Sequence, residues 1–300
     1  KVGPRTKTLP PAMAGLFEKD STLTPEAATA TPAAFASSAR SGPTMILAPS
    51  ATACWAAVAA CSGLAAMPDA LTPSQVAAVA DASRATGVAI AAVSGTYNMI
   101  HPDPAVRATG LRRLDLLIRN AAALGTNMVT LCSGTRDAQD QWRHHPDNAT
   151  PEAWRDLLDE MAKACALAEP LGVKLGIEPE LANVIDTAGR ARVLIDTLQS
   201  PALAIVLDPA NLFEVASLTA QRDLLSQAVD LLADRIIMAH AKDRDPTGGF
   251  ATAGKGVVDF PHFLGRLKAA GFTGDLVTHG LAADEAAAVA AYLTQTLAAL

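Results

Sequence analysis

Aromatic residues make up only 4% of this 300-residue chain, and a core built without them must rest on small aliphatic side chains, chiefly its 64 alanines with Leu and Val. There is no CxxC among the four cysteines (Cys54, Cys61, Cys132, Cys165), which disfavours a redox motif or a zinc ribbon and leaves buried free thiols of a cytoplasmic protein. No run of 18 strongly apolar residues occurs. The longest uncharged stretch, Ser41 to Pro68, is broken by Pro, Ser, Thr and Gly, so a membrane span is not expected. Blocks of basic residues are also missing, and with a net charge of −6 the chain is a poor partner for a nucleic-acid backbone. The first residues lack the charged-then-apolar order of a signal peptide, and a cytoplasmic protein is expected.

What is there is a regular alternation from about residue 72 onward. Thr72-Pro73 reads as an N-cap and first helical residue, opening an amphipathic stretch to Gly87. The apolar run Val88 to Val93 follows, then a helix from Pro104 to Leu124 stopped by Gly125. Strands are expected at Met128 to Cys132, Val173 to Ile177, Leu203 to Leu207, Ile236 to Ala239 and Asp275 to Thr278. Helices fall between them at Pro151 to Leu171, Ala188 to Leu198, Thr219 to Ala233 and Phe260 to Ala270, with a last one from Asp284. Short continuous apolar strands separated by helices mean parallel strands covered on both faces. Six such strands lie after residue 87, and two more from residues 1–72 would complete a TIM (β/α)8 barrel of class α/β. A doubly wound sheet is less favoured, because no GxGxxG follows a first strand. One domain over 1–300 is expected, with 73–300 well patterned and 1–72 atypical. In that first part Thr44 to Ala48 could be a strand, Pro25 to Arg40 a helix and Ala12 to Phe17 a short first strand.

In a parallel barrel the active site is built where strands end. Those ends read Ser94 to Asn98 with His101, Ser133 to Asp137, Glu178-Pro179-Glu180, Asp208-Pro209-Ala210-Asn211, His240 to Arg244, and His279-Gly280. Glu178, Asp208, His240 and His279 thus place two carboxylates and two imidazoles on the last four strands. That is a plausible ligand set for one divalent ion (Mn, Co, Zn or Mg), although a lone strand-end carboxylate is more often a helix cap.

The segments "GVAIAAVSGTYNMIHPD", "LGTNMVTLCSGTRD", "GVKLGIEPE", "LAIVLDPANLF", "IIMAHAKD" and "GKGVVDFPHFLGRLKAAGFTGDLVTHG" resemble the sugar phosphate isomerase/epimerase group with the xylose-isomerase-like barrel. The resemblance covers about residues 72 to 300. It implies a Glu, an Asp, a His and a second Glu holding one divalent metal, with Glu178, Asp208 and His240 matching the first three. On the last strand His279 stands where the family has Glu. In the family's epimerases the two glutamates are also the acid/base pair, so epimerase chemistry is placed in question. Glu180 and Asp243 are the nearest carboxylates to compensate for the missing charge.

The resemblance implies an isomerase or epimerase that abstracts a proton beside a carbonyl of a small sugar or hydroxy-carbonyl substrate, through a metal-stabilised enediolate. Glu178 would be the base, and His279 a ligand or a proton carrier. Asn98, His101, Arg136, Asn211 and Lys242 are candidate substrate-binding residues, with Tyr97 beside them, and Lys242 could instead pair with Asp243 at the surface. Asn211 takes the place of a His that ketose epimerases of the family carry. His144-His145 reads as a solvated loop rather than a lid. A keto-inositol dehydratase and a non-catalytic sugar-binding barrel are the alternatives. The endonuclease branch of the family is disfavoured, since it needs many more His than the six present. Homodimers or homotetramers are common in the family, but no interface is legible.

Overall fold

The computed structural model describes residues 67–300 and, ahead of them, the backbone of Thr44–Ile46. In chain order the strands are β1 (Thr44–Ile46), β2 (Val93–Ser94), β3 (Met128–Cys132), β4 (Lys174–Glu178), β5 (Leu203–Leu207), β6 (Ile236–Ala241), the short pair β7 (Asp243–Arg244) and β8 (Phe250–Ala251), and β9 (Asp275–Thr278). Apart from β7 and β8, which form an antiparallel hairpin, all lie in one sheet in the order β1-β9-β6-β5-β4-β3-β2. Every pairing in that sheet is parallel. The first strand sits beside the last, as in a closing α/β barrel and unlike an open doubly wound sheet. The strand position between β1 and β2, and the sequence expectations for Ala12 to Phe17 and Pro25 to Arg40, lie outside the described residues.

Seven α-helices are described: α1 (Pro73–Thr86), α2 (Pro104–Leu124), α3 (Pro151–Ala168), α4 (Ala188–Leu198), α5 (Leu218–Leu232), α6 (Phe260–Ala269) and α7 (Ala286–Ala299). Their ends are set locally. Thr72 Oγ1 accepts from Gln75 N while the Gln75 carboxamide accepts from Thr72 N, a capping box ahead of Pro73. Gly87 and Gly125 stop α1 and α2 in the left-handed region at φ 68° and 94°, where a side chain would be strained.

Alternation along the strands divides the interior in two. Leu175 and Ile177 of β4, Leu203, Ile205 and Leu207 of β5, Ala239 of β6 and Leu276 of β9 face outward into the core shared with Leu114, Leu157, Leu194, Leu225 and Leu267 of the helices. The other row faces the barrel axis. There Met128, Val206 and Met238 are buried against one another, with Ala92 and Val277 beside them. Gly176 makes room for this plug, since a Cβ there would stand 2.6 Å from Met128 Cε and 2.8 Å from Val206 Cγ2. Two residues further along the same inward row come Glu178, Asp208, His240 and His279.

Three expectations are corrected. The run from Val88 is strand only at Val93–Ser94. β4 is displaced by one residue, so Glu178 is its final residue. β6 runs on to Ala241, so His240 lies within the strand and not after it, while the β7–β8 hairpin has no counterpart in the sequence pattern.

Candidate metal centre

Glu178 ends β4, Asp208 directly follows β5, His240 lies within β6 and His279 directly follows β9. Asp208 is fully buried and caps the short 3-10 turn Pro209–Asn211, its Oδ1 accepting from Ala210 N at 2.9 Å. The bland reading of that carboxylate, a helix-type cap, therefore holds for one oxygen. The other does something else. Asp208 Oδ2 lies 3.5 Å from His240 Nδ1 and 3.4 Å from His279 Nε2, yet makes no hydrogen bond of acceptable geometry. His279 Nε2 is likewise buried without a hydrogen-bond partner. The two imidazole rings meet edge to face, with centroids 4.5 Å apart. One ligand atom from each of Asp208, His240 and His279 lies within 4.8 Å of the others.

These atoms suit a divalent ion. Imidazole nitrogen and carboxylate oxygen bind such ions at about 2.0–2.2 Å, which puts neighbouring donors about 3–3.5 Å apart. The His–Asp separations have that size. Two buried, unbonded atoms aimed at one point are also the arrangement that a cation relieves.

Charge in the ion-free site follows from the same contacts. Burial works against ionisation of Asp208, but the His240 and His279 imidazoles beside it outweigh that and hold the carboxyl below its usual range. Burial also opposes a charged His240, and Glu178, at 3.3 Å, with Asp208 reverses the balance to raise its pKa to about 10. Glu180 is pushed up to about 7, by burial first and the Glu178 charge second, and its Oε2 accepts from Asn183 Nδ2 at 3.1 Å.

The other anticipated residues divide. Asn211 is at the centre: its Nδ2 donates to Glu178 Oε1 at 2.6 Å, and its buried Oδ1 has no partner. The Lys242 ammonium lies 3.2 Å from the centroid of the Phe250 ring, which Arg244 also contacts. Asp243 is not Lys242's surface partner or a spare ligand. It is fully buried and accepts from the backbone N–H groups of Arg244, Gly254, Gly256 and Val258. Asn98 Oδ1 accepts from Thr135 N, which ties it to the loop after β3. Arg136 does not turn to the mouth; its guanidinium is held by Asp156 on α3 and the Ile100 carbonyl. Tyr97 is buried with its hydroxyl on Glu160. His145 caps the turn Pro146–Ala149, and His144 is exposed. Cys132 and Cys165 are buried free thiols, as expected. Cys54 and Cys61 lie outside the described residues.

A cavity of about 570 Å³ lies against α2 and the loops after β2 and β3, lined by Tyr97, Asn98, His101 and Asp137 among others. None of Glu178, Asp208, His240 and His279 lines it. Two contributors to the site go beyond the sequence pattern, the Asn211–Glu178 bond and the Phe250 ring over Lys242. Both depend on tertiary contact, and only the position of Asn211 after a strand hinted at the first.

The model of the xylose isomerase-like TIM barrel family matches residues 55–294. Against curated proteins the sequence has no match. Among solved structures, a 3-keto-D-glucoside 4-epimerase from E. coli superposes with a TM-score of 0.60 at 19% identity, covering 74% of this chain and 84% of its own. An L-ribulose 3-epimerase gives 0.61 at 18% identity, covering 77% and 82%. The IOLI protein with a binding zinc atom gives 0.58 at 18% identity, covering 74% and 82%. At such identities the likeness is one of fold.

Proposed function

This chain belongs to the xylose isomerase-like TIM barrel family, and from that premise we propose that it is a divalent-metal-dependent enzyme of the isomerase or epimerase type acting on a small sugar or related hydroxy-carbonyl compound. The observation that carries the reading is the buried, unbonded Asp208 Oδ2 between His240 Nδ1 and His279 Nε2. Zinc in the IOLI structure and the sugar epimerases among the structural neighbours support it.

Asp208, His240 and His279 would hold the ion, with Glu178 beside them. When bound, the ion supplies Lewis acidity toward a carbonyl and its neighbouring hydroxyl. Glu178 takes the proton from the carbon beside that carbonyl. Both of its contacts, with Asn211 and His240, fall on Oε1, so Oε2 is the oxygen that receives it. Asn211 Oδ1, buried and unpartnered, accepts from a substrate hydroxyl. Lys242, shielded by Phe250, places a positive charge at the rim.

His279 faces Asp208 and is not available as a second base, which leaves Glu178 to work from one side. A single base returns the proton to the face it came from, as in aldose–ketose isomerisation, or completes an elimination, and this places isomerisation ahead of epimerisation within the proposal. The second reading, a keto-inositol dehydratase, is favoured by this same observation. The test is proton exchange: metal-loaded protein with a panel of five- and six-carbon aldoses and ketoses in D2O, followed by proton NMR. Loss of the α-proton signal in wild type and not in Glu178→Gln is expected. Full metal occupancy with no exchange across the panel would overturn the reading.

A further inference from the structure

Two cations stand beside the strand ends without a counter-ion. The half-buried Lys242 ammonium lies 3.2 Å from the centroid of the Phe250 ring, and the guanidinium of the buried Arg244 lies 4.1 Å from the same centroid. Among the described residues neither forms an ion pair with a carboxylate, and the Lys242 ammonium has no hydrogen-bond acceptor. Arg244 is held by carbonyl oxygens, its Nε donating to Ala210 O and its Nη1 to Gly248 O. Ala210 belongs to the turn between Asp208 and Asn211, so the two charges abut the candidate metal centre. The carboxylates whose charge reaches Lys242 are Asp208, Glu178 and Glu180, and the first two face the ion. One aromatic face offsets the desolvation of a cation in part, and two cations on one ring still call for an anion.

The backbone decides which anion. Phosphate groups are commonly cradled by free N–H groups of helix N-termini and loops. Around these two cations such donors are already spent. In the turn between β7 and β8, Asp245 Oδ1 accepts from Thr247 N and Gly249 N, Gly248 N donates to Asp245 O, and Asp245 N donates to Gly249 O. The amides of Gly254, Gly256 and Val258 all go to Asp243. What remains is an ammonium and the free edge of a guanidinium, a pair matched to a carboxylate. Resting on the reading of these strand ends as the substrate site, we propose that Lys242 and Arg244 form a carboxylate subsite, and that the substrate is a sugar acid rather than a neutral or phosphorylated sugar. Phe250 is a positioning residue in this arrangement, acting through the two cations it touches.

The test uses the full chain, zinc-loaded and zinc-free in parallel, titrated by calorimetry. The probes are D-glucose, D-glucuronate and D-glucose 6-phosphate, and D-fructose, D-fructuronate and D-fructose 6-phosphate, each series differing only at C6. At least one uronate is expected to bind about tenfold or more tightly than both its neutral and its phosphorylated counterpart. Lys242→Met, which keeps an apolar stem against Phe250, should cut that preference to about threefold or less, and Lys242→Arg should restore most of it. Circular dichroism melting and zinc content confirm that the variants are folded. Equal binding within both series, binding by none of the sugars, or a preference that Lys242→Met leaves intact would overturn the carboxylate subsite while leaving a metal site. Failure of wild type to take up zinc would overturn the metal reading instead, and the zinc-free titrations then decide the subsite by the same ratio.

Discussion

In the ion-free protein His240 lies between Glu178 and Asp208, and those carboxylates outweigh burial to raise its pKa from 6.5 to about 10. A raised imidazole pKa stabilises the fold fully below the unfolded value and loses that contribution as pH climbs toward the folded one. The depressed Asp208 carboxyl works in the opposite range, its contribution present above 3.8 and lost as acid protonates it. Without ion, the melting temperature should therefore decline from about pH 6.5 upward. Zinc has to displace the His240 proton, so the gap between zinc-loaded and ion-free protein should widen from pH 6 to pH 9. Calorimetry at three pH values measures both slopes, and a constant gap would count against the assignment. Glu180 supplies a second case. Burial raises its pKa to about 7, so its ionisation above the unfolded value costs stability. Glu180→Gln should raise the melting temperature by a few degrees at pH 8 and change little at pH 4.

The elements around the site depend on two tight arrangements. Asp243 closes the segment from Gly254 to Val258 by accepting three of its backbone N–H groups, in addition to that of Arg244. Asp243→Ala should destabilise the protein by at least about 2 kcal/mol, read from the urea midpoint, because four donors lose their acceptor at once. Gly176 is the second. Gly176→Ala drives a methyl into Met128 and Val206, with an expected cost of about 1–3 kcal/mol. Shortening Met128 in the same chain should recover part of that cost, and a double-mutant cycle would show the coupling.

These elements also show what a sequence can carry. The ends of α1 and α2 were legible because Thr72, Pro73, Gly87 and Gly125 act on their immediate neighbours. Glu178, Asp208, His240 and His279 were legible as a group because each ends, follows or, for His240, lies one residue inside the end of an apolar strand. β2 was less so: the run from Val88 is apolar throughout, but strand pairing needs a neighbour, and β3 pairs only with Val93 and Ser94. The β7–β8 hairpin rests on a buried carboxylate bonding to backbone amides, which no hydrophobic pattern announces. Arg136 was expected at the mouth because it follows a strand. Its partner Asp156 lies on α3, and that contact exists only once the helix has packed.

For the molecule as a whole, the proposed ion binding would be coupled to folding. A ligand present at about 100 times its dissociation constant stabilises by about 2.7 kcal/mol. For a protein of this size that is about 4–5 °C in melting temperature. Saturating zinc should give such a rise and a chelator should reverse it; Asp208→Ala should show neither. No helix among the described residues is long and apolar enough to cross a membrane.

The buried layer of Met128, Val206 and Met238 lies directly beneath Glu178, Asp208, His240 and His279 and gives the described part of the barrel a floor. Among the described residues that floor leaves the strand ends as the shared way in and out for an ion and a substrate. An ion at the bottom can depart only when nothing sits above it, so ion and substrate form a queue rather than two independent streams. Release of zinc to an excess of chelator should then slow when a sugar occupies the mouth, even if that sugar never touches the metal.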